Sequence, residues 1–194
     1  MMSWEAVLDF WLGETNEDGL CSEAKQKQWW TKDPDFDARI RERFGDLHAD
    51  VVAGAHEDWR ERPKSLVAYV IVLDQFSRNL FRDDPRMYAN DIRATEAAEA
   101  GIAKGFDREL GAHARMFLYM PFMHCESIEK QDRCVELFEQ LADEHEPFAG
   151  NVKYAEQHRD IVKRFGRFPH RNDILDRETT TEEEDFLKQP GSSF

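Results

Sequence analysis

Leu66-Val67-Ala68-Tyr69-Val70-Ile71-Val72-Leu73 runs without a break into Asp74-Gln75-Phe76-Ser77-Arg78-Asn79. Eight consecutive apolar residues, rich in β-branched types, fit either a buried strand or a helix that is apolar on every side. Three features decide for the helix. Pro63 stands where proline suits the first turn of a helix, and the stretch continues through Phe76 at helical rather than strand length. The segments on either side are helical in period, so a lone central strand would find nothing to pair with.

Working outward, the same period recurs along the chain. Trp4, Val7, Leu8, Trp11 and Leu12 share one helical face, with Ser3 as N-cap and Gly13 as stop. A second helix is expected over residues 22–30, and Asp35 opens a longer one whose stripe is Phe36, Ile40, Phe44, Leu47, Val51 and Ala55. Beyond the central helix, Asp91 is placed to cap an alanine-rich helix ending near Gly105. Leu110, Met116, Phe117, Leu118 and Met120 mark the next helix, which Pro121 should kink. Ser127 and Asn151 are read as caps of two further helices, the second stopped by Gly166, and Thr181-x-x-Glu184 as a capping box for a short last one. The expected fold is a single all-α domain over residues 1–194, about eight helices arranged as packed hairpins.

At 194 residues the chain is long enough for one sizeable core. Its 41% hydrophobic residues, 14 Phe and 5 Trp among 34% charged residues describe a folded domain with a charged shell, not a disordered segment. Met1-Met2-Ser3-Trp4-Glu5 has no basic leader region, and no apolar run reaches the roughly 20 residues that cross a bilayer. Cys21, Cys125 and Cys134 are an odd number without C-x-x-C spacing, which suits reduced thiols better than disulfides or zinc ribbons. A cytoplasmic protein is therefore expected. The net charge of −14 disfavours nucleic acid and membrane surfaces as partners. Charge is nonetheless uneven, because between Lys153 and Arg171 six bases meet only Glu156 and Asp160. That leaves room for a local basic site within an acidic protein.

Three stretches carry a family resemblance: Leu73-Asp74-Gln75-Phe76-Ser77-Arg78-Asn79, Pro121-Phe122-Met123-His124-Cys125-Glu126 and Phe165-Gly166-Arg167-Phe168-Pro169-His170-Arg171-Asn172. With the closing Pro190-Gly191-Ser192-Ser193-Phe194 they resemble an uncharacterised bacterial family, domain of unknown function 924. The resemblance implies a fold similar to tetratricopeptide arrays, a right-handed stack of helical hairpins. The tetratricopeptide consensus of Trp, Gly and Tyr at a 34-residue period is itself missing. Ser77 stands where the family typically has Pro, and Cys125 where it typically has Ser, which removes a serine nucleophile at position 125. No reaction comes with the resemblance.

The residues able to carry chemistry are polar groups on otherwise apolar helical faces. Asp74 and Arg78, one turn apart, form either a structural ion pair, with Gln75 and Asn79 closing the helix end, or an anion site that uses the planar fork of the guanidinium. His124-x-Glu126 could be an acid and base pair, but two donors at that spacing do not make a metal site, and no metal or other cofactor is expected. His158 shares a face with Ala155, Ile161, Val162 and Phe165, so it must find a hydrogen bond within the core. Arg167, His170, Arg171 and Asn172 crowd a turn after a helix stop, where arginines either cap helix C-termini or hold an anion. Nucleotide-binding, nucleophile-elbow and zinc-protease motifs are all missing from the sequence.

Two functional classes follow, with a purely structural or oligomeric role as a third. The first is a non-catalytic binding module in which Asp74, Arg78, Asn79, His158, Arg167, Arg171 and Asn172 hold an anionic peptide or metabolite. The second is a small hydrolase or transferase with His124, Glu126 or His170 as acid and base and arginine stabilising negative charge. Whether the chain is an enzyme, and its oligomeric state, are left open by the sequence.

Overall fold

The structure, a computed structural model, describes residues 2–193; Met1 and Phe194 lie outside them. Among the described residues there is no named strand, only an isolated bridge between Thr15 and Cys21. No helix among them is long and apolar enough to cross a membrane. The helices are α1 (Trp4–Trp11), α2 (Glu23–Trp30), α3 (Pro34–Val52), α4 (Pro63–Ile71), α5 (Ser77–Leu80), α6 (Asp91–Ala103), α7 (Ala112–His124), α8 (Ile128–Glu144), α9 (Ala149–Phe165) and α10 (Thr181–Leu187). They fall into two compact units. The first is the chain up to Arg82 together with Arg86–Pro121, and the second is Asp83–Pro85 together with the chain from Phe122 onward.

In the first unit helix α4, apolar from Leu66 onward, is the centre, packed by α1, α6 and the short 3-10 turn Glu57–Glu61. Its residues from Leu66 to Ile71 are all buried, as expected of a helix with no polar face. It does not run evenly into the Asp74 stretch. A π turn, Val72–Phe76, separates α4 from α5, and it is packed by α3 and α6. Such one-turn π insertions are frequent at functional positions. Ser77 at its end donates from Oγ to the Leu73 carbonyl at 2.6 Å and receives bonds from His48 Nε2 and Asn90 Nδ2. The hydroxyl thus has one donor and two acceptor interactions, which uses its full capacity.

Aromatic rings fill the space beside this turn. Trp11 packs on Trp29, Phe36, Phe76 and Phe117, with ring centroids 5.6–6.4 Å apart. The connection from α1 to α2 crosses the start of α7, where Gly19 and Gly111 meet so closely that a Cβ on Gly19 would lie 2.3 Å from Gly111 Cα. Gly19 also has φ +77°, so both the crossing and the backbone conformation demand glycine there.

In the second unit α8 and α9 pack along one another as a helical hairpin, joined through the 3-10 turn Glu146–Phe148. Gly166 ends α9 in the left-handed conformation at φ +72°, as a C-terminal glycine should. A small core of Ile161, Val162 and Phe168, with Phe165 and Phe186 against it, supports the turn that follows.

Several helix starts differ from expectation by a residue or two. Asp33, with Pro34 next, opens α3 in place of Asp35; Asn90 precedes α6, so Asp91 is its first residue; and the capping box is Thr180 with Glu183. Asn151 lies inside α9, which Phe148 precedes, and Ser127 occupies the N-cap of α8 without a side-chain bond. At α3 and α10 a neighbouring Asp or Thr takes the cap, and at α9 a 3-10 turn feeds the helix.

Candidate functional site

Within the first unit, the π turn aims Asp74 inward, and its carboxylate is wholly buried. Gln75 Nε2 donates to Asp74 Oδ2 at 2.6 Å, while Arg78 Nη1 donates to both Asp74 Oδ1 at 3.0 Å and the Asp74 carbonyl at 2.9 Å. The other arm, Arg78 Nη2, reaches Asp91 Oδ2 at 3.1 Å. Burial opposes the charge on Arg78, but Asp74 and Asp91 outweigh it and raise its pKa above the usual arginine value. Asn79 turns away from this group and donates to Asp37 Oδ1 at 2.7 Å, and Arg82 also holds that carboxylate. Asp74 and Arg78 are therefore one group with Asp91, while Asn79 belongs to a separate group with Asp37 and Arg82.

In the second unit, the last turn of α7 carries His124, and Glu126 follows it. Glu126 is the hub of the region. Its Oε1 accepts from Phe168 N at 2.8 Å, and Arg177 grips both oxygens at 2.7 and 3.0 Å. Burial pushes the Glu126 pKa up, but Arg177, the Phe168 amide and Arg171 bring it below the usual carboxylate value. Arg177 also donates to the Phe168 carbonyl and to Asn172 Oδ1, and Asn172 Nδ2 reaches Thr179. Arg167 pairs both oxygens of Glu183 and reaches the Glu178 carbonyl. That pairing is the main reason the Glu183 pKa falls to about 2.

Phe168 gathers the remaining groups. Arg171 lies over its ring at 4.5 Å, and the rings of His158 and His170 approach it at 5.6 and 5.7 Å. Arg171 Nη2 donates to the His124 carbonyl at 2.9 Å. His158 Nδ1 lies 2.7 Å from the Tyr154 carbonyl, and because a carbonyl only accepts, Nδ1 carries the proton and Nε2 is the basic nitrogen. Burial drives the His158 pKa down to about 3; the Tyr154 carbonyl opposes this, while His124, His170 and Arg171 add to the depression. His170 falls to about 4, chiefly by burial and then by Arg171. The turn thus brings the His158 and His170 rings and the Arg171 guanidinium onto Phe168, with Arg171 lowering both imidazoles and the Glu126 carboxylate opposing that effect at His170.

These histidines give stability a defined pH dependence. The unfolded chain binds a proton on each near 6.5, whereas the folded chain keeps His158 and His170 neutral until about 3 and 4, and His113 in the first unit, depressed by burial, until about 4. Their contribution is therefore complete above pH 6.5 and shrinks on acidification, by up to about 1.4 kcal/mol per pH unit for each group. Proton NMR titration should find these three rings unchanged from about pH 8 to about pH 5. A midpoint near 6.5 on any of them contradicts the assignment.

Among the sequence-derived candidates, Asp74, Arg78 and Asn79 belong to the first unit, and His124, Glu126, His158, Arg167, His170, Arg171 and Asn172 to the second. Three participants went unread in the sequence: Asp91 as the second acid on Arg78, Arg177 on Glu126, and Gln131. Gln131 lies on the apolar stripe of α8 with Cys134, Val135, Phe138 and Leu141, and a polar residue on such a stripe was a readable signal. Among the described residues, no group of three or more His, Cys, Asp or Glu side chains is placed to hold a metal ion.

No match was found among curated proteins. Among solved structures, a protein of unknown function from Agrobacterium tumefaciens is similar to this chain at 38% identity and a TM-score of 0.84, over 95% of this chain and 96% of that one. The family profile of a group described as bacterial proteins of unknown function covers residues 7–191, and the chain belongs to that family, DUF924.

Proposed function

We propose that this protein is a binding module whose second unit holds the anionic group of a metabolite or peptide at the Arg167–Asn172 turn, with Arg171, His124, His158 and His170 as the receiving groups. The observation that carries this reading is the convergence of Arg171, His158 and His170 on the Phe168 ring, with the Arg171 guanidinium bonded to the His124 carbonyl; burial first, and then His124, His170 and Arg171, depress His158. An anion placed among them reverses that field and favours the protonated imidazoles. Arg78 and Arg167 grip carboxylates of the chain, and Arg171 lies in the field of Glu126; Arg171 is the guanidinium that shares the Phe168 ring with the two imidazoles.

The catalytic alternative has one observation in its favour: His158 is oriented through Nδ1 by a carbonyl, as general bases are. Its pKa weighs against that role. A base near 3 accepts a proton poorly at neutral pH, and His170, at about 4, is little better. Binding is the function these values favour.

The test is stabilisation by inorganic phosphate and sulfate, followed by thermal and urea melts. A specific site gives saturable stabilisation, about 2.7 kcal/mol at a hundredfold excess over Kd. Arg171→Gln should abolish it. An unchanged response in that variant, or no response in the native protein, removes the anion site.

A further inference from the structure

The carbonyls at the end of α7 have no intrahelical donors, as at the end of any helix. Two side chains from outside that helix close them here, and the Phe122 carbonyl also accepts from Cys125 N at 3.2 Å. Gln131 Nε2 lies 2.8 Å from the Met123 carbonyl, 2.8 Å from that of Cys125 and 3.3 Å from that of Phe122, while Arg171 Nη2 takes the His124 carbonyl. Four successive carbonyls, 122 to 125, are thus tied off around the residue that presents the His124 imidazole.

Gln131 is fully buried, and among the described residues its Oε1 has no hydrogen-bond partner. A buried acceptor left unpaired is a cost that an apolar residue on the same stripe would avoid. Helix C-termini ordinarily recruit Lys, Arg or His for these carbonyls, because a cation also meets the negative end of the dipole. A neutral amide does the same bonding without adding a charge. The positive charge beside the imidazoles is then set by Arg171, which is itself anchored to the same turn.

We propose that Gln131 is a positioning residue for the anion site: by fixing the last turn of α7 it holds the His124 imidazole and the anchored end of Arg171 in the geometry that receives the ligand. This rests on the binding function proposed above. Gln131 touches no ligand itself and acts through the backbone of residues 122–125. The direct effect therefore falls on His124 and Arg171; the His158 ring is held by Tyr154 on α9 and feels those two only through their charge.

The experiment uses the full chain with Gln131→Met, which keeps the volume and removes the donors, and Gln131→Asn, which keeps the amide but draws it back by one methylene. Imidazole nitrogen and carbon resonances are recorded for His124 and His158, and inorganic phosphate affinity is measured by titration. The expected result is a shifted or broadened His124 ring, a His158 ring that keeps its Nδ1-protonated form and shifts less than His124, and phosphate affinity lowered at least about tenfold, with Gln131→Asn intermediate. Should Gln131→Met fail to fold, Gln131→Asn alone decides by the same readouts. A variant that melts earlier yet keeps the native His124 resonances and native phosphate affinity overturns the proposal, since that is the behaviour of a purely structural cap. If the native protein does not bind phosphate, the binding function fails, and the His124 ring in the variants still decides whether Gln131 positions it.

Discussion

Arg78→Ala is expected to lower folding stability by about 3–5 kcal/mol, the range found when one partner of a buried ion pair is removed. The side chains concerned are 16% exposed for Arg78, 1% for Asp74 and 9% for Asp91, so solvent screens little of the loss. One guanidinium serves two carboxylates, and its removal leaves both without it in a region that water scarcely reaches. The opposite sign is expected of an arginine that faces an open anion site, because truncation there relieves repulsion among bases. Urea denaturation of the ligand-free variant separates the two cases directly. A change smaller than about 1 kcal/mol would mean that Arg78 is held for a ligand and that the Asp74 and Asp91 bonds contribute little net energy.

How that arginine came to be placed shows what was legible in the chain and what was not. The helix at residues 66–73 follows from length, Pro63 and helical neighbours, and the packed helices around it follow from stripes of apolar residues. The i and i+4 spacing of Asp74 and Arg78 offered an ion pair as one of two readings, and the structure contains that bond. Asp91 was read only as a cap, because its contact with Arg78 spans 13 residues and no helical period connects them. The π turn was likewise unreadable. A one-residue expansion depends on how the surrounding helices pack, and residues 72–76 alone fit an ordinary α-helix just as well.

The second unit divides in the same way. Arg167, His170, Arg171 and Asn172 stand out because polar and basic residues crowd the turn that follows the Gly166 stop, and local sequence is sufficient to see that. What each one grips is not local. Arg167 takes Glu183, 16 residues on, and Arg177 takes Glu126, 51 residues back. Gln131 illustrates a different omission. Charged groups and imidazoles are conspicuous in a sequence, but an uncharged amide on a core stripe must also satisfy its donors. The same criterion that picked out His158 applies to Gln131 without change.

Arg177 is the residue whose loss should reach furthest into this second region. Its guanidinium makes four contacts, two to Glu126, one to the Phe168 carbonyl and one to Asn172, and so links the end of the α7 segment to the turn that carries His170 and Arg171. Arg177→Ala is expected to cost about 2–4 kcal/mol, below the fully buried range because the two side chains are 22% and 25% exposed. Without Arg177, Glu126 loses its largest favourable interaction and its pKa rises, so the defect should be greatest at neutral pH and shrink in acid as that carboxylate takes a proton. Replacing both partners, as in Arg177→Met with Glu126→Leu, removes the stranded charge and should cost less than the two single variants add up to. A double-variant cycle in urea measures the difference. If the double variant instead loses the full sum, the pair is not coupled, and Glu126 is held by the Phe168 amide and Arg171 with no need of Arg177.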